Sequence, residues 1–180
     1  MRIISGKYKG KRFDVPHSFK ARPTTDFAKE SLFNVLVNNF VDFYDEPCAL
    51  DLFCGTGSIS LELLSRGCSS VIGVEKDYKH WQYLKKICMQ LGDSNWKPLH
   101  ADVFKYLERA TDKFDIIFAD PPYALKNIGE IPDIIFHKDL LVPGGIFILE
   151  HGKDQDFSKH PRFTSHREYG SVNFSFFEGV

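Results

Sequence analysis

The chain lacks any long apolar run. Nothing approaches the roughly 20 residues that a membrane helix needs, so no membrane-spanning segment is expected. The basic start, MRIISGKYKGKR, is not followed by the apolar stretch of a secretion signal. Cysteine is sparse: Cys48, Cys54, Cys68 and Cys88 form no C-x-x-C and keep no finger-like spacing to a histidine. They are expected to be reduced thiols of a cytoplasmic protein. No histidine pairs at i, i+4 with another His or Cys, so no metal is expected, and no G-x-S-x-G marks a serine nucleophile. Internal repeats and low-complexity segments are absent too.

What remains is an ordinary soluble composition on 180 residues, enough for one domain with a core on two faces. Charge is unevenly placed. Residues 1–22 carry Arg2, Lys7, Lys9, Lys11, Arg12, Lys20 and Arg22 against Asp14 alone, a local +6 in a chain of net charge −1. A basic arm on an acidic body suggests a footprint for a polyanion, with a solvated tail as the plainer alternative. RIIS and KRFDVP, joined by GKYKG, predict a small β-hairpin whose basic side chains face solvent. The polyanion-contacting candidates are Arg2, Lys7, Lys9, Lys11 and Arg12.

Next, RPTTDFAKESLFNVLVNNF predicts a helix capped by Thr24, Thr25 or Asp26, with Ala28, Leu32, Val35, Leu36 and Phe40 on one stripe. Beyond Pro47, strands and helices alternate. The strand candidates are ALDLF, SVIGVE, KPLHAD, FDIIFAD and GIFILE; the helices are 58–66, 78–91, 103–110 and a weaker one within 128–140. Near-continuous apolar strands suit a parallel sheet covered on both faces. Pro98 moves KPLHAD to an edge. The end, FTSHREYGSVNFSFFE, has a turn at Tyr169-Gly170-Ser171 and no helix, which predicts an antiparallel hairpin. The whole reads as an open, doubly wound α/β sheet.

Four stretches carry chemistry. In LDLFCGTGSISLELLSRG a strand turns at Gly55-Thr56-Gly57 into a helix, where glycines and free N–H groups let a ligand approach the backbone. The motif lacks the third glycine of a dinucleotide fingerprint, and a plain tight turn is the alternative. Asp51, four residues earlier, would repel a pyrophosphate and attract a cationic ligand carrying an ammonium group. In VIGVEKD, Glu75 is placed to accept ribose hydroxyls. In LHADVFKYL, Asp102 is placed to accept an adenine amino group, with Ala101 and Val103 beside the ring, or to cap the following helix; the two roles coexist. In FADPPYAL, Asp120 ends a strand where open α/β sheets hold ligands. Pro121 and Pro122 stiffen the loop, leaving the Asp120 carboxylate and Pro121 carbonyl as rigid acceptors beside the Tyr123 ring. A planar base with an exocyclic amine fits that set.

DLFCGTGSISLELLSRG, GVEKD, FDIIFADPPY and PGGIFILEH resemble a Rossmann-like methyltransferase that uses S-adenosylmethionine. [D/N]-P-P-[Y/F/W] is the motif of enzymes that methylate nucleobase amines. MRIISGKYKGKRFDVP…RPTTDFAKESLFNVL and REYGSVNFSFFE narrow the resemblance to the bacterial 16S rRNA (guanine(966)-N(2))-methyltransferase family, over nearly the whole chain. The resemblance implies a mostly parallel seven-stranded sheet with an antiparallel C-terminal hairpin over residues 23–180, preceded by a basic hairpin over residues 1–22. It implies S-adenosylmethionine as cofactor, S-adenosylhomocysteine as product, and 16S rRNA in the small ribosomal subunit as partner of a monomer, which makes Arg2, Lys7, Lys9, Lys11 and Arg12 RNA-contacting candidates. Asp51, Phe53, Gly55, Thr56 and Gly57 would hold the cofactor's amino acid end. Glu75 and Lys76 would lie at the ribose, Asp102 and Val103 at the adenine, and Arg22, Pro23 and Thr24 would close over the site. Asp120, Pro121, Pro122 and Tyr123 would hold the guanine, with Asp120 also beside the cofactor. Cys54 is given no chemical role. Three other readings are kept: an adenine or cytosine amino-methyltransferase on DNA or other RNA, a nicotinamide oxidoreductase, and a non-catalytic RNA-binding assembly factor.

Overall fold

The computed structural model describes residues 1–20 and 24–180. Helix α1 (Asp26–Asn39) starts where the Thr25 hydroxyl accepts a hydrogen bond from the Ala28 amide. The alternation then runs β1 (Cys48–Leu52), α2 (Ser58–Arg66), β2 (Ser70–Glu75), α3 (Tyr78–Leu91), β3 (Trp96–His100), α4 (Val103–Arg109), β4 (Phe114–Ala119), α5 (Glu130–His137) and β5 (Leu141–His151). The hairpin β6 (Phe163–Tyr169) and β7 (Val172–Glu178) closes the chain.

All seven strands join one sheet in the order β3-β2-β1-β4-β5-β7-β6. The first five are parallel; β7 pairs antiparallel with both β5 and β6. Pro98 sits on edge strand β3, as its missing N–H requires. Strand order reverses between β1 and β4, so a crevice opens at their carboxyl ends.

Side-chain alternation assigns each residue a face. Ala49, Ile116, Phe118, Ile146 and Ile148 join the core under α1, α2 and α3. Leu50, Leu52, Ile117, Ala119, Phe147 and Leu149 join the core under α4 and α5. By the same alternation Asp51, Asp120 and Glu150 project toward the α1–α3 face. Three acids therefore share one face at the carboxyl ends of three adjacent strands.

The N-terminal arm is a short hairpin: Arg2 and Arg12 form an antiparallel bridge, and backbone hydrogen bonds join Ile3 to Gly10 and Lys11 and Met1 to Phe13. Its connecting segment docks on α2, with Ile4 and Ser5 donating to the Glu62 carboxylate, Tyr8 to Ser65 Oγ, and Lys7 to the Ser65 carbonyl. Gly6 permits this approach, since a Cβ there would lie 1.8 Å from Ser65 O. The arm does not present all its cations. Lys7 Nζ bonds Asp93 at 2.7 Å, and Arg2 pairs with Asp26 at 2.9 Å.

Candidate active site

The crevice is built from the turn after β1. Phe53 adopts φ 61°, a costly conformation for a bulky side chain, and Gly57 adopts φ 79° as N-cap of α2. A Cβ on Gly57 would meet Leu84 Cδ2 at 2.8 Å, so this turn is packed as well as bent. Gly57 has no side chain to cap α2, which leaves the Ser58 and Ile59 amides without a partner among the described residues. Thr56 is buried in the same turn.

Two acids hold that turn. Glu75, at the end of β2, accepts the Gly55 amide at 2.7 Å through one oxygen and the Asp77 amide at 2.7 Å through the other. Asp51 accepts both the backbone amide and the hydroxyl of Ser60, at 3.0 and 2.5 Å. It is 1% exposed, and burial pushes its carboxyl up to about 7. Asp51 thus lies beneath the turn and organises α2. Cys54 is buried against Ser60 Oγ at 3.3 Å, and burial raises its thiol, the signature of an inert packed cysteine.

Asp102 performs the capping role: Oδ1 accepts the Phe104 and Lys105 amides, while Oδ2 pairs with Lys76 at 3.0 Å. The bond from Lys76 holds its carboxyl below the usual range. Val103 is buried on the α4 side.

The loop after β4 is different. Asp120 continues the ladder, its amide donating to Leu52 O at 3.3 Å, yet its carboxylate accepts no hydrogen bond from the described residues. Pro121 is buried and its carbonyl is also free of such bonds, whereas the Pro122 carbonyl accepts the Leu125 amide at 2.8 Å and closes the loop. Tyr123 stands exposed beside them. Burial and then the Asp51 charge push the Asp120 carboxyl upward.

The structure thus brings Asp51, the 53–57 turn, Glu75 and Asp120–Tyr123 around one crevice, with Lys76, Asp102 and Val103 at the neighbouring strand end. Arg22 and Pro23 lie outside the described residues; Thr24 immediately precedes the α1 cap. Arg2, Lys7, Lys9, Lys11 and Arg12 belong to the arm on α2. Two residues of the site escape sequence reasoning. Ser60 reads there only as the absent third glycine. Glu150, at the end of β5, is buried on the Asp120 face and has an oxygen without a hydrogen-bond partner among the described residues. It follows the pattern that singles out the other four acids, a carboxylate ending a strand.

Seven strands in this order form the Rossmann-like methyltransferase fold, and this chain is a methyltransferase of that fold. The family model described as "Conserved hypothetical protein 95" matches residues 1–178. Ribosomal RNA small subunit methyltransferase D of Buchnera aphidicola subsp. Baizongia pistaciae is 35% identical over 150 residues, 83% of this chain and 75% of the relative. Its namesake from Escherichia coli K12 is 30% identical over 169 residues, covering 93% and 83%. Among solved structures, a hypothetical protein of Thermus thermophilus superposes with TM-score 0.85 and 28% identity over 99% of each chain. The chain belongs to the family of ribosomal RNA small subunit methyltransferase D.

Proposed function

We propose that the protein methylates the exocyclic N2 amine of a guanine in 16S rRNA, taking the methyl from S-adenosylmethionine. The observation that carries this reading is a pair of acceptors without a hydrogen-bond donor among the described residues, the Asp120 carboxylate and the Pro121 carbonyl, beside an exposed Tyr123. An amine with two N–H bonds and a planar ring above it matches that set.

The crevice fits the cofactor by its donors and acceptors. The first two amides of α2, at Ser58 and Ile59, are offered to a carboxylate, and the buried Asp51 supplies a negative potential for an ammonium and a sulfonium. Glu75 is held by two backbone amides and keeps lone pairs for ribose hydroxyls. Asp102 caps α4 and takes the adenine amine; Phe53, Thr56, Lys76 and Val103 line these parts, and Thr24 at the start of α1 covers them. When bound, S-adenosylmethionine supplies an electrophilic methyl on a sulfonium and is left as a neutral thioether, so the leaving group needs no acid.

The protein's own contribution is orientation and charge. Asp120 and Pro121 accept the two N2–H bonds and favour a pyramidal nitrogen with a free lone pair. Holding two reactants in near-attack geometry accounts for roughly 7–11 kcal/mol of barrier in well-oriented cases. Asp120 then takes the proton released from N2. Its upward shift makes it a better acceptor than an ordinary carboxylate. Lys9, Lys11 and Arg12, with lesser help from Lys7 and Arg2, meet RNA phosphates while a guanine is unstacked into the loop. The protein acts as a monomer in the cytoplasm, on the small ribosomal subunit.

The test is methyl transfer from S-adenosylmethionine to under-methylated small subunits, free 16S rRNA or DNA, followed by nucleoside mass spectrometry. N2-methylguanosine in the ribosomal samples, abolished by Asp120→Ala with cofactor binding kept, supports the reading. A methylated adenine or cytosine, or near-normal turnover of Asp120→Ala, overturns it.

A further inference from the structure

We propose that Glu150 selects guanine by accepting the N1–H of the bound base, beside the Asp120 acceptor that holds N2; this rests on the reaction proposed above. Parallel partners Ala119 and Leu149 place Asp120 and Glu150 side by side, one residue further on, with side chains on the same face. Glu150 is 6% exposed, and its Oε2 has no hydrogen-bond partner among the described residues. A buried carboxylate with an unused oxygen is costly and needs a donor. Tyr123 is its neighbour on the crevice side, close enough to interact with the Glu150 carboxylate.

The chemistry of the base edge supplies the selectivity. Guanine presents N1–H next to its amine, so two adjacent carboxylates both find donors. Adenine and cytosine present a ring-nitrogen lone pair next to their amines, and that lone pair faces Glu150 with repulsion. Burial and the Asp120 charge push the Glu150 carboxyl upward in the free protein. A guanine edge brings donors to both acids and favours their ionised forms.

The probe is a small subunit whose target, once mapped, carries either guanine or 2-aminopurine, introduced by ligating a synthetic RNA fragment. 2-Aminopurine keeps the 2-amine and replaces N1–H by a lone pair. The wild type should favour guanine in kcat/KM by about 100-fold or more, since mismatched polar groups discriminate strongly. Glu150→Gln, whose amide offers either a donor or an acceptor, should narrow that ratio by about 10-fold or more. Glu150→Asp should keep the preference, and S-adenosylhomocysteine binding should be unchanged in both variants. Equal use of the two bases by the wild type overturns the proposal without any variant. So does a ratio unmoved in Glu150→Gln while N2-methylguanosine still forms. Absence of N2-methylguanosine from every wild-type sample instead overturns the underlying reaction, and this proposal with it.

Discussion

The Lys29 ammonium and the Glu62 carboxylate meet at 3.7 Å, and neither side chain is more than 1% exposed. Lys29 Nζ also donates to the Arg2 carbonyl at 2.6 Å and to Ser58 Oγ at 3.1 Å. Glu62 receives the Ile4 and Ser5 amides and Arg66 Nε. One buried pair therefore joins the basic arm, α1 and the start of α2, the helix that borders the crevice. Glu62→Gln leaves the Lys29 ammonium buried without a carboxylate, whereas Lys29→Met leaves Glu62 its Arg66 pair and two amides. The first should cost about 3 kcal/mol in urea unfolding and the second less, and the double variant should cost less than the sum. Limited proteolysis should cut the arm sooner in both single variants. Additive costs and an unchanged cleavage rate would show that the pair does not tie these elements together.

Much of the fold was legible because several local signals agreed. The bounds of α2, β2 and α3 match the expected 58–66, 70–75 and 78–91, since apolar periodicity coincides with Asp77 as N-cap and Gly92 as a left-handed C-cap. Strand β5 runs longer than the expected GIFILE: Pro143-Gly144-Gly145 reads as a break, yet Leu141 still pairs with Phe114 across a register shift. The docking of the arm on α2 was not legible, because its hydrogen-bond partners Glu62 and Ser65 lie far along the chain. Lys29 was invisible for a related reason, as a lysine on an apolar helix stripe carries no local sign of its partner. The site's acids were readable as strand ends, but which of them spend their oxygens on the backbone was not. Glu75 and Asp102 do; Asp120 and one oxygen of Glu150 do not.

Asp51 sets a direction for stability against pH. Its carboxyl is raised to about 7 in the folded protein, against an ordinary value of 3.8. Between those values the folded state holds a proton that the unfolded state has released. The contribution of Asp51 is therefore fully present below about pH 4 and is lost as pH rises through about 7. Asp51→Asn keeps an oxygen for Ser60 and removes this loss. The gap in melting temperature between the variant and the wild type should grow in the variant's favour from pH 4 to pH 8, reaching about 2 °C or more. Its S-adenosylmethionine affinity should fall at the same time. A constant gap across pH would remove the buried charge as the cause.

Salt dependence separates the arm's cations. Lys9, Lys11 and Arg12 have no ion-pair partner among the described residues, whereas Lys7 is held by Asp93 and Arg2 by Asp26. Each free cation that meets a phosphate should add about 1 to the slope of log affinity against log salt. Lys9→Glu, Lys11→Glu and Arg12→Glu together should flatten that slope by about 2 to 3 in RNA-binding titrations. Lys7→Glu should change it less and instead lower the melting temperature, because it sets two acids against each other. An unmoved slope in the triple variant would place the RNA footprint on another surface.

Tyr123 separates stacking from hydrogen bonding. The ring is 56% exposed, more than packing alone requires, and its hydroxyl is pushed up to about 12, first by partial burial and then by Glu150. If the ring is the platform for the unstacked base, Tyr123→Phe keeps it and Tyr123→Ala removes it. Base–aromatic stacking of about 1–3 kcal/mol corresponds to roughly 5- to 150-fold. Tyr123→Ala should lower kcat/KM by an amount in that range, with S-adenosylmethionine affinity unchanged, while Tyr123→Phe should stay within about 3-fold of the wild type. Steady-state kinetics with small-subunit substrate decides between the parts of the side chain. Equal losses in the two variants would assign the role to the hydroxyl, and the base would then need another surface to stack on.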